Sequence, residues 1–426
     1  MSGKGLVVGI SFLVTILFWR SPFAYEVETH VRFSQQSVKC SVLTDQNLMS
    51  ALGLKGINDE DLVWQAPVDT NDPEYIAKWL KEYEDPNDLG YKPTIKTLVG
   101  WGAKFEDEEF LTRPLNHFFD PLNGEPFHPC PFGLNCNTSP DWALEDGEPP
   151  SDLNNQAQSF FDANNHFRYA LGLADKEDRE AAWADLFQSL GMVIHHIQDM
   201  SQPQHVRNDA HCISFVCRVT GDYNPSYYEH YTNEHRAAIL NRFGCGSYPR
   251  LDLSRFNTAR DFWNTADGAG IGMAEFTNRN FVSAGTNFRW GREAGGFVVA
   301  PDGNYPQPDP QNGGSGLMRQ AEDIRVLLND PAFPLAGEMQ FLGTQVTDNL
   351  LGGGSVANPR SSSYSLWNDK LEHYNRQVGR VRTMQREFNL NHFNFEAGYE
   401  FLMPRAIAGC PCYCPSWILK IRRPCA

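Results

Sequence analysis

The stretch His195-His196-Ile197-Gln198-Asp199-Met200-Ser201-Gln202-Pro203-Gln204-His205 constrains this chain more than any other. It closes a run that begins near Ala181, in which Trp183, Leu186, Phe187, Leu190, Val193, Ile194 and Ile197 are apolar. That spacing predicts a helix with a broad apolar face. His195 and Asp199 then stand one turn apart on one side, so an imidazole nitrogen and a carboxylate oxygen reach a single ion. Pro203 cannot continue the helix, and the turn it forces brings His205 back toward Asp199. Nitrogen and oxygen donors without thiolate suit zinc in an open, reactive site better than in a closed structural one. The plain alternative is a helix end furnished with polar caps.

A second pair answers the first. Asn224-Pro225 reads as an N-cap followed by proline at the first helical position. On the helix it opens, His230 and Glu234 are again four residues apart. Alone, such a pair is common. Downstream of the first constellation it supplies the imidazole and carboxylate that His205 needs to hold a second metal.

The two motifs, HHIQDMSQPQH followed by HYTNE, resemble the zinc-dependent phospholipase C superfamily, which also contains the fungal single-strand nucleases. The resemblance covers residues 25–290 and thins out afterwards. It implies a mainly α, multi-helix domain over 25–295, with a C-terminal extension of short strands and a helix over 296–426. It also implies three zinc ions. Their ligands would be His195, Asp199, His205, His230 and Glu234, joined by an earlier His, an earlier Asp and the first residue of the mature chain. His30 and the free amine and carbonyl of Tyr25, five residues apart as in the nuclease branch, are assigned to the third zinc. His117, within the segment His117-Phe118-Phe119-Asp120, resembles the metal-binding His of the family. Asp107 takes the place of the upstream Asp, with Glu106 as its alternative, and Asp120 is placed to orient His117. By the same resemblance Asp199 bridges two zincs, the attacking group is a zinc-bound hydroxide, and Asp107 orients or deprotonates the water.

Residues 1–24 read as a secretory signal: Lys4 is the positive start, Leu6 to Trp19 the apolar run, and Ala24 the small residue at a cut. An uncleaved membrane anchor is the other reading of that run. Export makes the ten cysteines candidates for disulfides. Cys130 with Cys136 and Cys212 with Cys217 make natural short bridges. Cys410, Cys412, Cys414 and Cys425 cluster near the end, and Cys40 and Cys245 are left unassigned.

Further elements follow from pattern. A helix is expected over 76–103, a long loop over 119–152, and helix again over 154–173 with Phe160, Phe161, Phe167 and Leu171 in the core. Residues 300–316 and 352–363 read as loops, IRVLL and EMQFLGTQVT as short strands, and 366–388 as a helix. His128, His166, His196, His211 and His235 read as ordinary core or surface residues.

The sequence therefore points first to a secreted or periplasmic phospholipase C that converts phosphatidylcholine to diacylglycerol and phosphocholine. Its partner would be phospholipid at a membrane surface, and the enzyme a monomer. In the resemblance, Glu234 sits where the nuclease branch carries Asp, and AEFTNRNF and PRAIA are similar to segments of the bacterial phospholipases. Tyr227, Tyr228 and Tyr231 offer a face for a quaternary ammonium group. The runner-up is a single-strand nuclease or 3'-nucleotidase with the same site; a non-catalytic lipid- or metal-binding protein is the third reading. A net charge of -16 argues against a stable nucleic-acid partner.

Overall fold

The computed structural model describes residues 26–59, 62–63, 93–108, 113–128, 130, 135–144, 158–209, 211, 226–245, 255–283, 287–291, 296–299, 319–335, 337–348, 354–370 and 386–408. The signal segment, Tyr25, residues 76–92, the Cys212/Cys217 pair, 300–316 and the Cys-rich tail lie outside them.

The central element is a helix over Lys176–Asp199. It starts earlier than the apolar run suggests, because the Asp175 side chain accepts from the backbone N–H groups of Glu177 and Asp178. Those N–H groups have no partner inside the helix, so an acidic cap sets its start. From Ala182 onward nearly every side chain is buried, Gln188, Ser189 and Gln198 included. The helix is enclosed on all sides rather than lying on a surface. The seven apolar residues of its predicted face are each at most 6% exposed, and burying each contributes about 1.5–3 kcal/mol.

In chain order the helices are α1 (Val27–Cys40), α2 (Gln46–Ala51), α3 (Ile95–Glu108), α4 (Ser139–Leu144), α5 (Phe160–Gly172), α6 (the central helix), α7 (Tyr227–Arg242) and α8 (Met273–Asn280). A hairpin of β1 (Phe288–Gly291) and β2 (Gly296–Val299) follows, then β3 (Arg319–Asp323), α9 (Ile324–Leu327), β4 (Glu338–Asp348), β5 (Gly354–Ser365), β6 (Glu387–Asn389) and α10 (His392–Ala408). Strands β3-β4-β5-β6 form one antiparallel sheet in that order. The protein is mainly α, with a small C-terminal sheet and a closing helix. Among the described residues no helix is long and apolar enough to cross a membrane.

Helices α1, α3, α4, α5 and α10 all pack on α6. The α3–α6 crossing is the closest. A Cβ added at Gly102 would lie 2.0 Å from the Gln188 carbonyl oxygen, and one at Gly191 would lie 2.2 Å from that of Val99. Mid-helix glycine costs roughly 0.5–1 kcal/mol. Here it lets two backbones touch, which sets Asp107 near the end of α3 against His195 and Asp199 on α6. From the C-terminal extension, Phe395, Tyr399, Leu402, Met403 and Ile407 of α10 join the same apolar cluster as Phe33, Phe187 and Phe276.

Several expectations are corrected. Residues 354–365 are a strand, not a loop. Their Ser and Pro content hid a buried polar face: Ser363 donates to Asn394, Ser365 donates to the Trp367 carbonyl, and Pro359 falls within the register break between Asn358 and Ser362. Ile324–Leu327 is a short helix, because the Asp323 side chain accepts from the Arg325 N–H and caps it, and so short a segment has no period of its own to separate strand from helix. Of the helix expected over 366–388, only Asp369 and Lys370 are helical among the described residues, and Glu387–Asn389 is a strand. The helix ending at Gly102 continues to Glu108. Phe161 and Leu171 are more than half exposed, since α5 turns only Phe160, Ala163, Phe167 and Ala170 inward.

Two disulfides are described. Cys130–Cys136 closes the short loop expected of it, and Cys40–Cys245 ties the end of α1 to the end of α7.

Candidate metal centre

The last turn of α6 presents His195 and Asp199 together, with Nε2 to Oδ2 at 3.3 Å. The His195 Nδ1–H donates to the Ala103 carbonyl at 2.7 Å, which leaves Nε2 with its lone pair facing the centre. His117 points Nδ1 at the same place, 3.1 Å from Asp199 Oδ2 and 3.3 Å from His195 Nε2. Asp107 Oδ1 stands 3.7 Å from His117 Nδ1 and 3.6 Å from His195 Nε2. A tetrahedral zinc with bonds of about 2.0–2.1 Å needs donors about 3.3 Å apart. Five of the six donor separations in this group run from 3.1 to 3.7 Å.

The other oxygen of Asp199 faces elsewhere. Oδ1 is 3.3 Å from His30 Nε2, while His30 Nδ1–H donates to Gln198 Oε1 at 2.9 Å. The His30 ring stacks on that of His195 with centroids 3.7 Å apart. Asp199 thus addresses two donor groups with its two oxygens, the geometry of a bridging carboxylate.

The third group differs from expectation. His205 donates from Nδ1 to the His117 carbonyl at 3.1 Å and turns Nε2 toward Glu229 Oε1 at 3.7 Å. His211 Nε2 reaches the same Glu229 oxygen at 2.7 Å. His205, His211 and Glu229 are all buried and form the group that can hold an ion. His230 and Glu234 stand outside it. His230 Nδ1 faces Glu26 at 2.9 Å and its Nε2 faces Glu234 at 3.2 Å, on a partly exposed side of α7. The physical reason is helical phase: adjacent residues diverge by about 100°, and α7 turns Glu229 inward. The Ser226 cap, accepting from the Glu229 N–H, fixes that phase at the first turn.

Glu106 and Asp107 straddle His117. Asp107 takes the Nδ1 side, whereas Glu106 lies 3.7 Å from Nε2 with Arg113 and Trp142 on its carboxylate. Asp120 accepts from Leu122, Asn123 and Asn278 and so stabilises its own turn. Tyr228 and Tyr231 are buried against Phe395 and, for Tyr228, Tyr399, which makes them packing residues. The Tyr25 terminus lies outside the described residues. His211 and His196 are the participants that sequence reasoning set aside.

The fit to metal ions rests on buried polar atoms. Both oxygens of Asp107, both of Asp199 and the Nε2 of His205 are buried and make no aligned hydrogen bond, their nearest partners being the other donors of these groups. Burying that many polar atoms unsatisfied is strongly unfavourable unless an ion completes them. The electrostatics agree. Burial alone would raise the Asp199 carboxyl, but His195, His205 and His117 outweigh it and hold it well below the usual range. Burial pushes Asp107 up to about 7, only partly offset by His195 and His117. Burial, with His195 beside it, lowers His30 to about 4, so its ring is neutral at pH 7. Burial would lower His117 too, yet Asp199 and Glu106 raise it to about 10. Such opposed shifts among converging side chains make this cluster the candidate functional site. From the C-terminal extension, burial lowers the Lys370 ammonium, which lies within the fields of Asp209 and Glu229.

These groups of buried His, Asp and Glu can hold metal ions. No protein-family model matches the chain, and comparison with curated proteins and with solved structures finds no match.

Proposed function

We propose that the protein is an exported zinc-dependent phosphodiesterase, a phospholipase C acting on phosphatidylcholine. The single observation that supports it most is the bridging geometry of Asp199 between the Asp107–His117–His195 group and His30, with His205–His211–Glu229 alongside. With Asp199 shared between the first two groups, together they would hold up to three ions, and their imidazole and carboxylate atoms suit zinc. Bound ions would supply Lewis acidity toward the phosphoryl oxygens and an acidified water as nucleophile.

The chain's own part is placement. Asp199 and His195 hold the centre in register from one helix. Asp107 orients the attacking water or accepts its proton. His205, His211 and Glu229 shape the face against which the phosphate docks. Because the carboxylate of this last group is Glu229 and not Glu234, the resemblance to the phospholipase branch rests on AEFTNRNF and PRAIA. The -16 net charge favours a zwitterionic lipid over a polyanion as substrate. Two disulfides fit an oxidising compartment.

The test is one panel with and without chelator on vesicles of phosphatidylcholine, vesicles of sphingomyelin, and single-stranded DNA. Chelator-sensitive release of phosphocholine from phosphatidylcholine is expected. Faster release of nucleotides from DNA would replace the phospholipase reading by the nuclease one.

A further inference from the structure

Behind His117, on the side away from the proposed ions, lies a buried polar hub. Glu106 is fully buried, and its Oε2 receives Arg113 Nη1 at 2.8 Å. Its Oε1 receives Trp142 Nε1 at 2.8 Å and faces His196 Nε2 at 3.1 Å and His117 Nε2 at 3.7 Å. The His196 ring is held from its other side: Trp263 Nε1 donates to Ser139 Oγ at 3.1 Å, and that hydroxyl lies 3.1 Å from His196 Nδ1. The Glu106 carboxylate facing Nε2 can only accept, which selects the tautomer protonated on Nε2 and leaves Nδ1 to accept from the Ser139 hydroxyl.

Glu106, His117 and His196 lie close enough to suggest a further ion site. The hydrogen-bond chain argues otherwise. A protonated His196 Nε2 has no lone pair for an ion, and the Glu106 carboxylate already serves two N–H donors, one of them cationic. What remains is a carboxylate behind an imidazole whose far nitrogen points into the proposed centre. Such a carboxylate accepts the N–H of the ring, selects its tautomer and fixes its plane.

We propose that Glu106 is a positioning residue: its carboxylate, 3.7 Å from His117 Nε2, attracts the N–H there and so presents His117 Nδ1 to the ion shared with Asp107, His195 and Asp199. This rests on the metal-dependent reading above. Arg113 and Trp142 hold the carboxylate in place, and His196 fills the remaining side. Adjacent acids on α3 thus serve one histidine from its two edges.

The test uses full-length protein: wild type, R113M and E106Q/R113M. The double variant removes the carboxylate together with the cation it neutralises, so neither charge is left buried alone. Ion affinities are read by chelator competition, and the cobalt-substituted forms by their visible spectra. R113M, which keeps the carboxylate but removes one of the groups that hold it, is expected to bind the ion at His117 more weakly than wild type and more tightly than the double variant. E106Q/R113M is expected to bind one ion 10–100-fold more weakly, with a changed cobalt spectrum and an unchanged circular dichroism spectrum. Wild-type affinities and spectrum in a folded E106Q/R113M would overturn the proposal, and so would loss of a whole additional ion from it, which would make Glu106 a ligand. Should the double variant not fold, wild-type protein loaded with cadmium-113 and labelled with nitrogen-15 at histidine decides. Coupling of His117 through Nδ1 with Nε2 protonated supports the proposal, and coupling through Nε2 refutes it. A wild type that binds no ion would sink the metal reading itself, an outcome separate from any behaviour of the variants.

Discussion

Replacing His211 should remove an ion, and replacing His230 should not. His211 Nε2 and the Glu229 carboxylate are 2.7 Å apart in a buried group with His205. A four-donor zinc contributes about 10–16 kcal/mol, so one donor of such a set is worth about 2.5–4 kcal/mol. At 1.4 kcal/mol per decade that is a loss of roughly 10²–10³ in affinity. His230 pairs with Glu26 and Glu234 where all three are partly exposed. Exposed pairs of that kind are worth about 0–1 kcal/mol, in folding and not in ion binding. H211A, E229Q, H230A and E234Q would be dialysed against buffered zinc, counted by mass spectrometry, and titrated with a competing chelator. Melting of the metal-free forms separates ligand loss from unfolding. The expected result is one ion fewer in H211A and E229Q, with H230A and E234Q unchanged. An ion lost from H230A and retained in H211A would refute the reasoning and restore the helical pair as ligands.

Three further outcomes follow. G191A places a methyl 2.2 Å from the Val99 carbonyl oxygen, so α3 and α6 must separate; a loss of at least 2 kcal/mol is expected, in the order of overpacked cores, together with weaker ion binding, and a wild-type urea midpoint would contradict the crossing. In the metal-free protein, His30 and His196 stay neutral to about pH 4 when folded but take up protons from 6.5 when unfolded, so stability falls as pH drops through that window. Asp107, pushed up to about 7, acts in the opposite sense, and two groups against one leave a net loss of about 1.4 kcal/mol per pH unit; a urea midpoint flat from pH 6.5 to 4 would refute it. Replacing Cys40 and Cys245 by serine opens a bridge of sequence separation 205, and the chain-entropy account puts the cost at up to about 5 kcal/mol; an unchanged melting temperature would count against the pairing.

What the sequence shows and what it hides follow from the range of each signal. The apolar period of α6, the four-residue spacing of His195 and Asp199, and the Pro203 turn are local, and each appears where expected. Cys130–Cys136 is equally local. His211 has no periodic neighbours to mark it and acquires meaning only when the turn after His205 sets it beside Glu229. The choice of Glu229 over His230 depends on the rotational phase of α7, which the Ser226 cap decides and the four-residue spacing does not. Cys40 and Cys245 meet only because α1 and α7 pack together. Strand β5 was hidden because its buried side chains are Asn358 and four serines rather than apolar residues, with Ser363 and Ser365 held by hydrogen bonds. Phe161 and Leu171 show the converse, apolar residues that α5 leaves exposed.

The central claim is that Asp199 joins two ions in one hydrolytic centre, and D199N tests it most directly. The variant keeps the size of the side chain and removes the charge that faces His30, His117, His195 and His205. Bound zinc and phosphocholine release from phosphatidylcholine vesicles would be measured on the same preparations of wild type and variant. The account predicts a wild type that binds zinc and hydrolyses the lipid in a chelator-sensitive way, and a folded D199N with fewer ions and no detectable hydrolysis. Full zinc content with undiminished turnover in D199N would contradict it.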